Sequence, residues 1–110
     1  MSLQRPCPSA QTIKLISNKW SVEILFALEG AAPVRFGELQ RALGRVTQKE
    51  LTRHLRRLEQ HGLVTRTVFP EVPPRVEYQL TEMGRKLLAP LDELGRWSQL
   101  WAHAPKKSEP

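Results

Sequence analysis

Apolar positions along this chain recur at two periods, and the change between them organises it. Ile13, Ile16 and Trp20 stand three and four apart, the spacing of one helix face. Cys7-Pro8-Ser9 reads as an entry turn, with Ser9 capping a first helix over 9–17. Asn18 caps a second helix whose stripe of Trp20, Ile24, Leu25 and Leu28 ends before Gly30 and Pro33. Phe36, Leu39 and Leu43 mark a short third helix closed by Gly44. The fourth starts on Thr47-Gln48-Lys49-Glu50, a capping box. Leu51, Leu55 and Leu58 are its buried stripe, Gly62 ends it, and Leu63 folds back on it.

Then the period becomes two. Val64, Arg66 and Val68 alternate with Thr65, Thr67 and Phe69. Pro70 to Pro74 breaks the pattern, and alternation resumes from Arg75 to Leu80 with Val76, Tyr78 and Leu80 on one side. This predicts a hairpin with a proline-stiffened tip. Thr81 caps a last helix with Leu87, Leu91, Leu94, Trp97 and Trp101 on its stripe, and Pro90 inside it predicts a kink or restart. The expected fold is mostly α with a small β-hairpin, in the order α-α-α-α-β-β-α. Residues 1–8 form an arm, 9–103 one domain and 104–110 a flexible tail.

Charge changes the picture because of where it sits. The 110 residues carry 17 Lys and Arg against 11 Asp and Glu, for a net +6. Residues 41–57 hold Arg41, Arg45, Lys49, Arg53, Arg56 and Arg57 against the single acid Glu50, which is most of that excess. Alone, such a run is an ordinary solvated helix face. Here it lies on the second helix of a helix-turn-helix with a hairpin wing behind it. A helix so placed can enter a major groove and present its first turns to base edges. Gln48, Lys49, Thr52, Arg53 and Arg56 form the exposed face, with Thr47 at its start. Gln reads adenine and Arg reads guanine in bidentate fashion. Arg45 and Arg57 suit phosphates, Arg75 on the wing suits a minor-groove or backbone contact, and His54 beside Arg53 is placed for DNA too. Double-stranded DNA is the expected partner.

Other chemistry finds little support. The longest apolar run, Ile24 to Leu28, is far below the ~20 residues of a membrane span. No signal-peptide pattern opens the chain, so a cytoplasmic protein with no membrane partner is expected. One cysteine excludes an internal disulfide framework and a cysteine-based zinc site. His54 and His61 lack metal-ligand spacing with an acid, Glu50 and Glu59 suit capping and helix pairing, and no phosphate loop or catalytic triad is present. No metal, no cofactor and no enzyme activity are expected. Trp20, Trp97 and Trp101, at helical spacing with Leu, read as packing rather than as a stacking platform. A core of this size has little room for the whole last stripe, so Leu87, Leu91, Leu94, Trp97 and Trp101, with Ile13 and Ile16 helping, are expected at a homodimer interface.

The residues also carry a family resemblance. Cys7-Pro8, Asn18-Lys19-Trp20, Arg35-Phe36-Gly37-Glu38-Leu39, Leu55-Arg56-Arg57-Leu58-Glu59 and above all Val72-Pro-Pro-Arg-Val-Glu-Tyr78 resemble the HxlR-type winged helix-turn-helix transcription regulators. The likeness covers about residues 7–101. Asn18 stands where that family usually has glycine, and Thr47 where serine is common. The resemblance implies a homodimer on a two-fold operator, acting as repressor or activator, with no required cofactor. Some members of that family are similar to redox or electrophile sensors built on an N-terminal cysteine, so Cys7 is a redox-sensing candidate; its plain reading is an ordinary reduced thiol. A small-molecule effector is open as well. Two rival functions stand beside the regulator. A winged-helix protein-interaction module would want an apolar or mixed fourth helix. A nonspecific nucleic-acid binder would explain the charge but not the Gln48, Thr52 and Arg53 face.

Overall fold

The computed structural model describes residues 7–105. Five helices run at Pro8–Ile16 (α1), Ser21–Ala27 (α2), Phe36–Leu43 (α3), Gln48–Gln60 (α4) and Glu82–His103 (α5). Three strands, Val34–Arg35 (β1), Val64–Phe69 (β2) and Arg75–Leu80 (β3), form an antiparallel sheet in the order β1-β3-β2. Of the expected arm and tail, only Cys7, Pro8, Ala104 and Pro105 lie inside the described residues, and Pro8 is already helical.

Local chemistry sets most boundaries. Pro8, with no N–H to satisfy, opens α1, so Cys7 rather than Ser9 is its N-cap residue. Asn18 Oδ1 accepts from the N–H of Trp20 (3.0 Å) and Ser21 (2.9 Å), which caps the start of α2. Its Nδ2 donates to Ser21 Oγ at 2.7 Å, so buried Ser21 is satisfied. Glu38 Oε1 accepts from Arg35 N at 2.9 Å at the start of α3. Gly44 takes φ +83° in the turn to α4, a backbone state that disfavours other residues. The expected box at α4 is complete: Glu50 N–H donates to Thr47 Oγ1 and Thr47 N–H to Glu50 Oε1, both at 3.1 Å. At its far end Leu63 N–H reaches Leu58 O and Gly62 N–H reaches Glu59 O, both at 3.0 Å, with Gly62 at φ +74°. That is the paired-bond glycine stop, and Leu63 is buried.

The core fills from every element but α1 and β1, which hold no buried residue and only pack Leu15, Ile16 and Val34 against it. Trp20, Ile24, Leu25 and Leu28 of the α2 segment meet Leu39 and the α4 stripe of Leu51, Leu55 and Leu58. Val64, Tyr78, Leu80 and Leu91 close the cluster from the sheet and α5. Gly84 marks the tightest junction. A Cβ there would sit 2.2 Å from Leu63 O, where α5 crosses the start of β2. Thr81 completes this corner, donating from Oγ1 to Gly62 O at 2.6 Å and accepting from Gly84 N–H at 3.0 Å.

Three expectations change. The hairpin is part of a three-stranded sheet, because Val34 and Arg35 pair with Tyr78 and Glu77 of β3. Pro90 does not split the last helix: α5 runs through it for 22 residues, and the local loss is the missing N–H that would reach the Lys86 carbonyl. Leu91, expected at a dimer interface, is 8% exposed and belongs to the protomer's own core. Leu87 and Ile16 are partly buried against that core.

Candidate nucleic-acid interface

The helix-turn-helix is α3, residues 44–47 and α4. Gln40 Nε2 donates to Val46 O at 3.3 Å and ties α3 to the turn. Buried Val46 pins the turn to the core, while Arg45 and Thr47 face solvent. Once the leucine stripe is anchored, the opposite side of α4 must point outward. Gln48, Lys49, Thr52, Arg53, Arg56 and Arg57 line one shallow open groove there of about 820 Å³, joined by Gln60. Gln60 escaped the sequence reading, although it lies four residues beyond Arg56 on the same face. Among the described residues no salt bridge neutralises Lys49, Arg53 or Arg56.

The cap keeps a negative charge at the helix start. Thr47's backbone N–H, then its hydroxyl, hold Glu50 below the usual carboxylate range. An ionised Glu50 offsets the helix dipole there.

Three side chains behave differently from the expected roles. His54 is not part of the DNA-facing side: it is 7% exposed. Burial, with the charges of Arg53 and Arg57 adding and Glu50 opposing, pushes its imidazole below the ordinary value, so it is a neutral core residue at neutral pH. Its place was legible, since 51, 54, 55 and 58 make one i, i+3, i+4, i+7 stripe. Arg57 is exposed, but its guanidinium donates to Lys14 O at 3.1 Å, at the end of α1. Arg75 is not an open cation: Glu71 and Glu77 each pair with it at 2.9 Å, and Phe69 lies beneath it. On β2, Arg66 pairs with Glu59 at 3.6 Å.

The remaining candidates lie apart from this face. Cys7 is exposed at the start of α1. Ile13, Leu94, Trp97 and Trp101 are exposed at 57%, 51%, 56% and 59%, as is Leu100. Trp97 and Trp101 stack with ring centroids 5.8 Å apart. Among the described residues no helix is long and apolar enough to cross a membrane.

A short helix, a glycine turn, a capped basic helix and an antiparallel wing packed on one core define a winged helix-turn-helix. Residues 15–106 match the family described as HxlR-like helix-turn-helix, and the chain belongs to it. It is 44% identical over 90 residues to the HTH-type transcriptional regulator BH0655 of Halalkalibacterium halodurans, spanning 82% of this chain and 80% of that one. To the HTH-type regulator YtfH of Escherichia coli it is 39% identical over 94 residues, spanning 86% and 74%. The reduced form of the transcriptional regulator YodB from B. subtilis superimposes with a TM-score of 0.80 at 32% identity, covering 93% of this chain and all (100%) of that one. The redox regulator HypR in its oxidized form gives 0.70 at 36%, covering 91% and 100%. The chain is a transcriptional regulator of the HxlR winged-helix type.

Proposed function

We propose that two copies of this chain bind a two-fold DNA operator, each laying the outer face of α4 in a major groove. The observation that carries this reading is the α4 face itself: cations not neutralised by salt bridges and base-reading side chains share one side of a helix whose other side is locked in the core. In this reading Gln48, Thr52 and Arg53 meet base edges, with Lys49 and Arg56 beside them. Arg45 in the turn meets a phosphate, and Thr47 spends its hydroxyl on the cap. Arg57, held at the end of α1, reaches the backbone only by exchanging the Lys14 carbonyl for a phosphate.

Dimerisation is supported by the outer half of α5. Leu94, Trp97 and Leu100 leave more than half of their surface in solvent, and the radius of gyration is 17.1 Å against about 13 Å for a compact 100-residue domain. A partner covering this stripe and Ile13 would set two α4 helices one DNA turn apart, ~34–36 Å. A cytoplasmic location follows from the DNA partner. A protein-docking role for α4 is disfavoured by its uncovered cations. Exposed Cys7 is the candidate signal input, supported by the likeness to the reduced form of the regulator YodB and to the redox regulator HypR in its oxidized form. With one cysteine, its disulfide would join a second chain or a small thiol. Equal operator affinity before and after diamide treatment, in wild type and Cys7→Ser alike, would remove that signal.

Selection of bound duplexes followed by binding assays tests the main reading. Arg53→Ala is expected to cost ~1–3 kcal/mol and relax preference at one base pair. Arg45→Ala is expected to weaken all duplexes alike and lower the salt slope by about one. If neither variant alters binding, α4 is not the reading helix.

A further inference from the structure

The wing tip holds a guanidinium in a cradle of two unequal carboxylates. Arg75 opens β3 and stands opposite Phe69 of β2. Its Cζ lies 3.8 Å over the Phe69 ring. Nη1 donates to Glu77 Oε2 at 2.9 Å, and Nη2 and Nε donate to a single oxygen, Glu71 Oε2, at 2.9 and 3.2 Å. The Glu77 side chain is 17% exposed, that of Glu71 53%. The inner carboxylate and the ring therefore fix the plane of the guanidinium. The outer carboxylate only occupies its solvent-facing edge.

The donor fork that arginine offers a carboxylate is also the one it offers a phosphate. We infer that Glu71 stands in for a DNA phosphate, so that the wing carries a pre-positioned phosphate clamp whose outer edge Glu71 masks. This rests on the DNA reading above and deepens it by assigning Glu71 a role in setting affinity for the backbone. An exposed ion pair of this kind is weak, so phosphate can replace Glu71, while Glu77 and Phe69 hold Arg75 in place. The cradle carries one positive and two negative charges, so the wing disfavours a phosphate until Glu71 is displaced or neutralised.

The test is fluorescence anisotropy of Glu71→Gln, Arg75→Gln and the double variant on an operator duplex and an unrelated duplex, between 50 and 200 mM salt. Glu71→Gln should bind both duplexes more tightly and, on the unrelated duplex where no seated phosphate displaces the carboxylate, steepen the salt slope by about 0.9, one phosphate contact. Its advantage over wild type there should then shrink by about 3.5-fold across that fourfold salt range. In the Arg75→Gln background the same change should add nothing. An unchanged slope in Glu71→Gln on the unrelated duplex overturns the inference. So does a gain that persists without Arg75, because Glu71 would then act only as a repelling charge. Wild type that binds no duplex would overturn the DNA reading and this inference together, whereas wild type that binds with Glu71→Gln unchanged overturns this inference alone. Unshifted Thr65 and Gln79 amide resonances in each variant verify that the wing remains folded.

Discussion

Replacing Trp97 by alanine puts the outer half of α5 to the test. The indole is 56% exposed in the single chain, although it stacks on Trp101. A tryptophan buries ~200 Å² when fully covered, so roughly 110 Å² per protomer awaits a partner, or about 220 Å² across a two-fold axis. At ~25 cal/mol per Å² that surface is worth about 5 kcal/mol to a dimer as a ceiling. Ordering of side chains at the contact takes back part of it. If half survives, about 2.5 kcal/mol, the dimer dissociation constant rises about 60-fold in Trp97→Ala. Sedimentation equilibrium from nanomolar to 100 micromolar chain reads this directly. Urea unfolding at a concentration where both forms are monomeric should hardly change, since Trp97 lies outside the core cluster. Wild type that stays monomeric at tens of micromolar, or a Trp97→Ala chain with the wild-type dissociation constant, would refute the dimer built on α5.

Three further outcomes follow from particular contacts. Gly84→Ala gains about 1 kcal/mol of helix propensity but drives a Cβ to 2.2 Å from Leu63 O. Overpacking costs ~1–3 kcal/mol, and a clash with backbone falls at the upper end and should win, so denaturant unfolding that shows an equal or more stable variant would contradict the crossing at this corner. His54 has its folded pKa lowered from an ordinary value near 6.5. The unfolded chain therefore takes up a proton before the folded one does. Stability is full above about pH 6.5 and falls below it toward the folded value, by at most ~1.4 kcal/mol per pH unit. His54→Gln should flatten that window, and unfolding curves with the same pH slope in both proteins would rule the assignment out. Arg57→Ala removes a hydrogen bond that ties α4 to α1. Hydrogen exchange at Leu15 and Ile16 should speed up while α4 amides such as Leu55 stay protected; unchanged α1 exchange would show the tie to be idle.

What was legible in the sequence was what short-range chemistry decides. The Thr47–Glu50 box, the Gly44 turn and the Gly62 stop each involve partners within five residues, so spacing alone reveals them. Strand β1 was not legible, because two residues have no period and Val34 is a strand only through its pairing with Tyr78. The α5 stripe was read as a face but not in depth. A helix of 22 residues is ~33 Å long, and nothing in a repeat of three and four tells where the body beside it ends. Leu91 lies inside that limit and Leu94 outside it, one turn apart on the same stripe.

The same distinction separates the two basic regions. By composition Arg53 and Arg75 are equal contributors to a +6 chain. In the fold Arg53 stands on a helix whose neighbours at three and four residues are Lys49, Arg56 and Arg57, with Glu50 spent on the helix cap, while Arg75 stands where a proline turn brings Glu71 back onto it. Net charge therefore overstates the wing as a site for phosphate and understates α4. The asymmetry also has a use. A helix with exposed cations attracts any duplex, and a wing that admits phosphate only after losing Glu71 adds affinity only where the groove brings a phosphate close enough to compete. Charge on α4 would then supply the encounter, its base-reading side chains the choice of sequence, and the wing a contact conditional on correct seating.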